Sequence, residues 1–149
     1  MSEITDQISS IIPVPPQPQR IISLVPSITE LLYDLGLEDR VAGITKFCVR
    51  PEHWFRTKTR VGGTKNIKID TIQRIVPDLI IANKEENVKE QIEVLTREFP
   101  VWVTDISNYD DALEMIFQLG QITGKADAAT QLNNKIQTAF DGLAAEIKK

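Results

Sequence analysis

The chain of 149 residues holds one cysteine and one histidine, Cys48 and His53, with Glu52 between them. A thiol near an imidazole is the minimum for nucleophilic catalysis, and the three side chains together offer one soft and two harder metal ligands. The spacing forces neither chemistry. Nothing in it brings Cys48, Glu52 and His53 to one tetrahedron, and a thiol alone in a loop reads as a small packing residue unless its pKa falls far below about 8.5. Ser27, His53 and an aspartate can be drawn as a triad, but Ser27 is better used as a helix cap. The first apolar run is not followed by Gly-x-Gly-x-x-Gly, and the chain has no Walker A motif, so the common nucleotide-binding loops are absent. No catalytic residue and no metal site is assigned.

The side chains that remain offer binding. Thr45 to Ile69 is the longest irregular stretch, and a loop of that length in a compact domain is usually functional. Within it, Trp54 either stacks on a flat ligand or plugs the loop onto the domain. Lys84-Glu85-Glu86-Asn87 is either the solvated start of a helix, where the dipole favours acidic residues, or the rim of a pocket. Composition sets the outer bounds. A hydrophobic content of 42% with 26% charged residues belongs to a folded globular domain. A net charge of -4 argues against nucleic acid as a partner. No apolar run approaches the roughly 18 residues of a membrane span. Acidic residues in Met1-Ser2-Glu3-Ile4-Thr5-Asp6 do not make a secretory signal. The expected location is cytoplasmic if Met1 is the native start, and periplasmic or cell-surface if the chain was trimmed.

The elements that must position these residues follow from periodicity. Residues 1–19 are expected to form an extended arm, because four of the eight prolines fall in Pro13-Val14-Pro15-Pro16-Gln17-Pro18. Ile4 to Ile12 forms a short edge strand or hairpin laid on the domain, or else the arm is a disordered leader. Residues 20–124 make an α/β lobe. Its strands are the apolar runs Ile21–Val25, Val41–Ile44, Leu79–Ala82 and Val101–Val103. Between them, Ser27 and Glu30 form a capping box for a helix carrying Ile28, Leu31, Leu32 and Leu35, closed by Gly36. Further helices span Asp70–Val76, Val88 to Phe99, and Asn108 to Thr123. Residues 125–149 form one long helix with the stripe Leu132, Ile136, Phe140, Leu143 and Ile147. The predicted fold is α/β: a four-stranded parallel doubly wound sheet in order 2-1-3-4 with a long C-terminal backbone helix. Ligands of such sheets sit beyond the carboxyl ends of the strands.

Three blocks carry a family resemblance: Arg20-Ile21-Ile22-Ser23-Leu24-Val25-Pro26-Ser27-Ile28-Thr29-Glu30, Val61-Gly62-Gly63-Thr64, and Pro77-Asp78-Leu79-Ile80-Ile81-Ala82. They resemble the substrate-binding proteins of ABC importers for vitamin B12, ferric siderophores and haem. The match covers nearly the whole chain and about the first half of a family member. Those proteins have two lobes joined by one long helix, so the resemblance implies an N-terminal lobe plus most of the backbone helix, without the second lobe. Thr45-Lys46-Phe47-Cys48, Gly62-Gly63-Thr64-Lys65-Asn66 and Ala82-Asn83-Lys84-Glu85-Glu86-Asn87 are similar to a branch of metal or cobalamin receptors that commonly lack an export signal. That branch places a histidine two residues after the cysteine; here the position is Arg50, which weakens a metal-ligand role for the loop.

The resemblance implies a non-enzymatic protein with no cofactor of its own, binding cobalamin, a ferric siderophore or haem. An alternative is a cytoplasmic metal or corrinoid binding or sensing protein of the same fold without a transporter. Pro26, Ser27, Phe47, Cys48, Trp54, Thr64, Lys65, Asn83, Lys84 and Glu85 are the expected ligand-binding residues. The position matching the family's permease-docking carboxylate is Asp70, which is otherwise a plain N-cap. The stripe of the 125–149 helix is longer than a small lobe can cover, and a homodimer through it is expected.

Overall fold

The chain opens with a hairpin of two antiparallel strands, Ser2–Thr5 (β1) and Ile11–Val14 (β2), in a computed structural model that describes residues 2–147. Met1, Lys148 and Lys149, the outer ends of the expected arm and backbone helix, lie outside the described residues. Alternation in β2 buries Ile12 and Val14 in the core. At the hairpin tip Asp6 is buried, and its carboxylate accepts from the backbone N–H of Ile8 (3.1 Å), Ser10 (2.8 Å) and Val103 (3.2 Å). Gln7 N–H donates in turn to the Val103 carbonyl at 3.1 Å, so the tip is tied to the outermost strand and covers part of its open edge.

The main sheet contains Ile21–Ser23 (β3), Val41–Ile44 (β4), Thr59–Arg60 (β5), Leu79–Asn83 (β6) and Val101–Thr104 (β7), all parallel, in the order β5-β4-β3-β6-β7. The four apolar strands therefore stand in the order 2-1-3-4, and a fifth strand extends the sheet beside β4. Sequence reasoning missed β5 because it is two exposed polar residues with no hydrophobic pattern to betray them.

Apolar residues on both strand faces demand cover on both sides. Pro26–Asp34 (α1), Tyr109–Thr123 (α5) and Ala126–Ile147 (α6) contribute to one core with Trp102, Ile21 and Ile81. Ile69–Ile75 (α3) and Lys89–Thr96 (α4) close the other around Ile22, Ile80 and Val101. The remaining helix, Glu52–Thr57 (α2), sits in the long loop before β5. Asn108 caps α5 by accepting from Asp111 N–H at 2.9 Å, and Gly124 ends it at φ +75°.

The capping box at Ser27 does not form. Helix α1 begins one residue earlier with Pro26 at its first turn, Val25 is the N-cap, and no side chain caps the end. Proline at the first helical position removes one N–H that would otherwise lack a partner, and its fixed φ suits that position, so Ser27 falls inside the helix with its side chain exposed. Asp70 is likewise not an N-cap: α3 starts at Ile69 after Lys68.

Helix α3 ends on Val76 in the left-handed region at φ 53°, ψ 66°, a conformation that is strained for a β-branched residue. Its neighbours hold it there. Asp78 accepts from the N–H groups of Gln19 (2.7 Å) and Arg20 (2.8 Å), while the Arg20 guanidinium donates to the Ile75 carbonyl at 2.8 and 2.6 Å. The Val76 side chain is 62% exposed and has little packing to lose. Val76→Asn or Val76→Gly should therefore stabilise the domain by about 0.5–1 kcal/mol, or ~2–4 °C in Tm, read by thermal unfolding. A lower Tm in both variants would show the turn to be unstrained.

Candidate functional site

Because all five strands run the same way, their carboxyl ends open on one edge, where the connecting loops converge. The turn after β5 is fixed by backbone geometry. Gly62 has φ +96°, and a Cβ there would lie 2.5 Å from the Asn66 carbonyl oxygen, so only glycine fits. Gly63 N–H donates to Asn66 O at 3.0 Å, and Lys46 N–H donates to Gly62 O at 2.8 Å, which ties this turn to the loop after β4. At Gly63 the missing side chain makes room for an aromatic ring: a Cβ would stand 3.1 Å from Phe47 Cε2. Lys46 Nζ lies 5.2 Å from the centroid of the same ring. Phe47 is nonetheless 54% exposed, a flat apolar platform supported from below.

Across from it, Lys65 Nζ donates to the Glu85 carbonyl at 2.7 Å. Gln91 on α4 donates to Lys65 O at 3.2 Å and accepts from Ile67 N–H at 3.1 Å, fixing the far side of the turn. Pro26, Phe47, Thr64, Lys65, Glu85 and Glu86 thus line one shallow cleft of about 310 Å³. Glu86 belongs to the Lys84–Asn87 stretch read as a helix start or a pocket rim, and it joins the cleft although it is not one of the ten named ligand-binding residues.

The other expected residues do different things. Ser27 is exposed beside Pro26 at the start of α1. Asn83 works as a buttress: its Oδ1 accepts from Glu85 N–H (2.9 Å) and Glu86 N–H (3.0 Å), and its Nδ2 donates to Thr104 Oγ1 at 3.0 Å. Lys84 points toward Asp105, with Nζ 3.8 Å from Oδ2, and lines a neighbouring groove rather than the cleft. Cys48 is buried, with Sγ 3.0 Å from Thr29 Oγ1 and 3.1 Å from Thr45 Oγ1. It packs the loop down and does not line the cleft.

Trp54 is also buried. It lies on α2 edge-on to Tyr33 of α1, with ring centroids 5.6 Å apart, and its Nε1 donates to the Glu38 carboxylate at 3.1 Å. His53 bonds the same carboxylate, and these two donors, His53 first, hold the Glu38 carboxyl below its ordinary range. Trp54 is therefore the plug of its loop. Asp70, in the first turn of α3, is exposed and pairs with Arg74 Nη2 at 3.1 Å across one helical turn.

Among the described residues, no three His, Cys, Asp or Glu side chains converge as metal ligands, and no helix is long and apolar enough to cross a membrane. A larger groove of about 1010 Å³ runs beside β7 between α4 and the hairpin tip, floored by Val101 and Val103. It lies along the side of the sheet and shares Glu85 with the cleft.

A family model described as Periplasmic binding protein matches residues 21–149. The chain belongs to that family. It is 26% identical to an uncharacterized ABC transporter substrate-binding lipoprotein, YvrC, of Bacillus subtilis, over 97% of this chain and 47% of that protein. It is 27% identical to a vitamin B12-binding protein of Vibrio campbellii, over 84% of this chain and 46% of that one. Among solved structures, the siderophore-binding protein BauB, bound to two acinetobactin molecules and ferric iron, superposes with a TM-score of 0.85 at 19% identity, over 97% of this chain and 53% of its own. The chain thus spans about half the length of the relatives it matches, and its lobe and long helix have the fold of the helical-backbone periplasmic binding proteins.

Proposed function

We propose that this chain is the N-terminal lobe of an ABC-importer substrate-binding protein whose cargo is a large metal chelate: cobalamin, a ferric siderophore or haem. The observation that carries the reading is the Phe47 ring, held open on Gly63 at the rim of a cleft on the carboxyl edge. A vitamin B12-binding relative and a siderophore-bound structural neighbour support the class of cargo. Binding is capture without chemistry. The ring takes one apolar face of the ligand, Thr64, Lys65, Glu85 and Glu86 supply polar partners at its margin, and a second lobe covers the other face.

Titration of the chain with aquocobalamin, haemin and a ferric catecholate, followed by absorbance, tests this. One of the three should bind weakly, and Phe47→Ala should reduce its affinity about tenfold, the ~1.4 kcal/mol of a lost stacking contact. If none of the three binds, or the variant binds unchanged, the reading is wrong.

Delivery requires a permease, and we place its contact at Asp70. The carboxylate is exposed, and the surface pair with Arg74 that holds it is worth well under about 1 kcal/mol, so a partner's arginine can take it over. Asp70→Asn removes the charge without removing a cap. Ligand uptake through the cognate permease should fall while the melting temperature stays within about 1 °C; unchanged uptake would leave Asp70 as an ordinary first-turn residue.

The exposed end of α6 supplies a second contact surface. Helix α6 packs on α5 as far as Phe140, which stacks on Tyr109, the first residue of α5, at 4.3 Å between centroids. Beyond that point α5 offers nothing to cover Leu143 and Ile147, which are 58% and 76% exposed. In the 149-residue chain a second copy is the proposed cover, through a two-fold contact of α6 on α6. Analytical ultracentrifugation should show a dimer that Leu143→Glu with Ile147→Glu converts to monomer, and a monomer in the unaltered chain at 100 micromolar (~1 mg/mL or more) would exclude it.

A further inference from the structure

We propose that Asn87 is the positioning residue of the cleft, the buried side chain that sets the distance between its walls; the inference deepens the ligand-binding reading and rests on it. Asn87 is 5% exposed, and all of its amide is used. Nδ2 donates to the Leu24 carbonyl at 3.1 Å and to the Thr64 carbonyl at 3.0 Å, while Oδ1 accepts from Asn83 N–H at 2.8 Å. These three partners belong to three separate carboxyl-edge segments. Leu24 leads from β3 into Pro26, Thr64 sits in the turn after β5 beside Lys65, and Asn83 ends β6 just before Glu85 and Glu86. Each segment contributes lining to the cleft, and β3 stands between β4 and β6, so the turn after β5 has no ladder bond to the β6 loop. Asn87 provides a buried connection there, beneath the exposed bond from Lys65 Nζ to the Glu85 carbonyl.

The chemistry is specific to asparagine. The site presents two acceptors and one donor, which match the two N–H donors and the carbonyl of a primary amide. Aspartate is isosteric but has no donor when ionised and would set its charge against two carbonyl oxygens. Glutamine is one methylene too long for the same three partners. Alanine and serine leave buried backbone groups without their amide partner, which loosens the segments that carry them.

Amide hydrogen exchange on the full chain and on Asn87→Asp, Asn87→Ala and Asn87→Ser tests the proposal without a ligand. Exchange should rise at least tenfold in residues 62–67 and 83–87, while amides of β3, of β6 from Leu79 to Ala82 and of the α5–α6 pair keep their protection. Protection in Asn87→Asp should recover toward pH 4, where the protonated carboxyl again offers one donor, and Asn87→Ala should show no such recovery. Titration with aquocobalamin, haemin and a ferric catecholate, at a temperature where the variants remain folded, should show at least a fivefold loss of affinity for whichever probe the unaltered chain binds. Unchanged exchange in the two segments, a uniform rise across the molecule, or unfolding of all three variants would each overturn the positioning role. Full affinity in variants with loosened segments would overturn it too. Failure of the unaltered chain to bind any probe would count against the ligand reading alone, since the exchange result is independent of it.

Discussion

A parallel sheet that is buried on both faces can be polar only at its ends. Ile21 and Ile22 of β3, and Ile80 and Ile81 of β6, are completely shielded, so helices must cover both sides and every crossover must return the chain in the same direction. All carboxyl ends then meet on one edge, where the ladder stops and backbone groups lose their partners. Among the described residues, five of the seven buried polar residues (Ser23, Thr29, Thr45, Asn87 and Thr104) lie at or next to this edge. Thr29 bonds Ser23 Oγ at 2.8 Å, Thr104 bonds the Ala82 carbonyl at 2.9 Å, and Asn87 links three loops. The polar chemistry of the site is thus a consequence of where the ladder ends.

Patterns that are local in sequence were legible before any coordinates. The apolar strand runs and the glycine stop at Gly36 depend on a few consecutive residues and appear as read, except that β3 ends at Ser23 rather than Val25. The failures have one cause. A competing feature lay too close in the chain or too far away. Pro26, adjacent to Ser27, took the first helical turn and displaced the cap. Thr59 and Arg60 pair with β4 through backbone alone, so their side chains carry no trace of it.

The site divides along the same line. Thr64, Lys65 and Glu85 were readable because strand ends and a double glycine put them on the edge. Cys48 and Trp54 sit in the same loop region, yet α2 packs Trp54 against Tyr33 and two threonines enclose the thiol, contacts that no spacing rule encodes. Asn87 makes its bonds to residues 63 and 23 positions away, which a reading along the chain cannot find.

The lobe also has two surfaces whose requirements point the same way. The cleft is shallow, about 310 Å³, and lined from one side only, whereas a site that holds a small molecule tightly encloses most of its surface. Helix α6 has 22 residues against the 15 of α5, and at 1.5 Å per residue it extends about 10 Å farther. Its stripe follows this geometry: Leu132 and Ile136 are packed against the core, and Leu143 and Ile147 lie past the last support. The helix runs antiparallel to α5, so the overhang projects beyond Tyr109, which follows β7 at the carboxyl edge. The uncovered apolar surface and the open cleft therefore lie toward the same end of the lobe. One body placed there would satisfy both, burying the apolar overhang and closing the open side of the cleft. An exposed helix end and an open cleft on opposite ends of the lobe would have required two different partners.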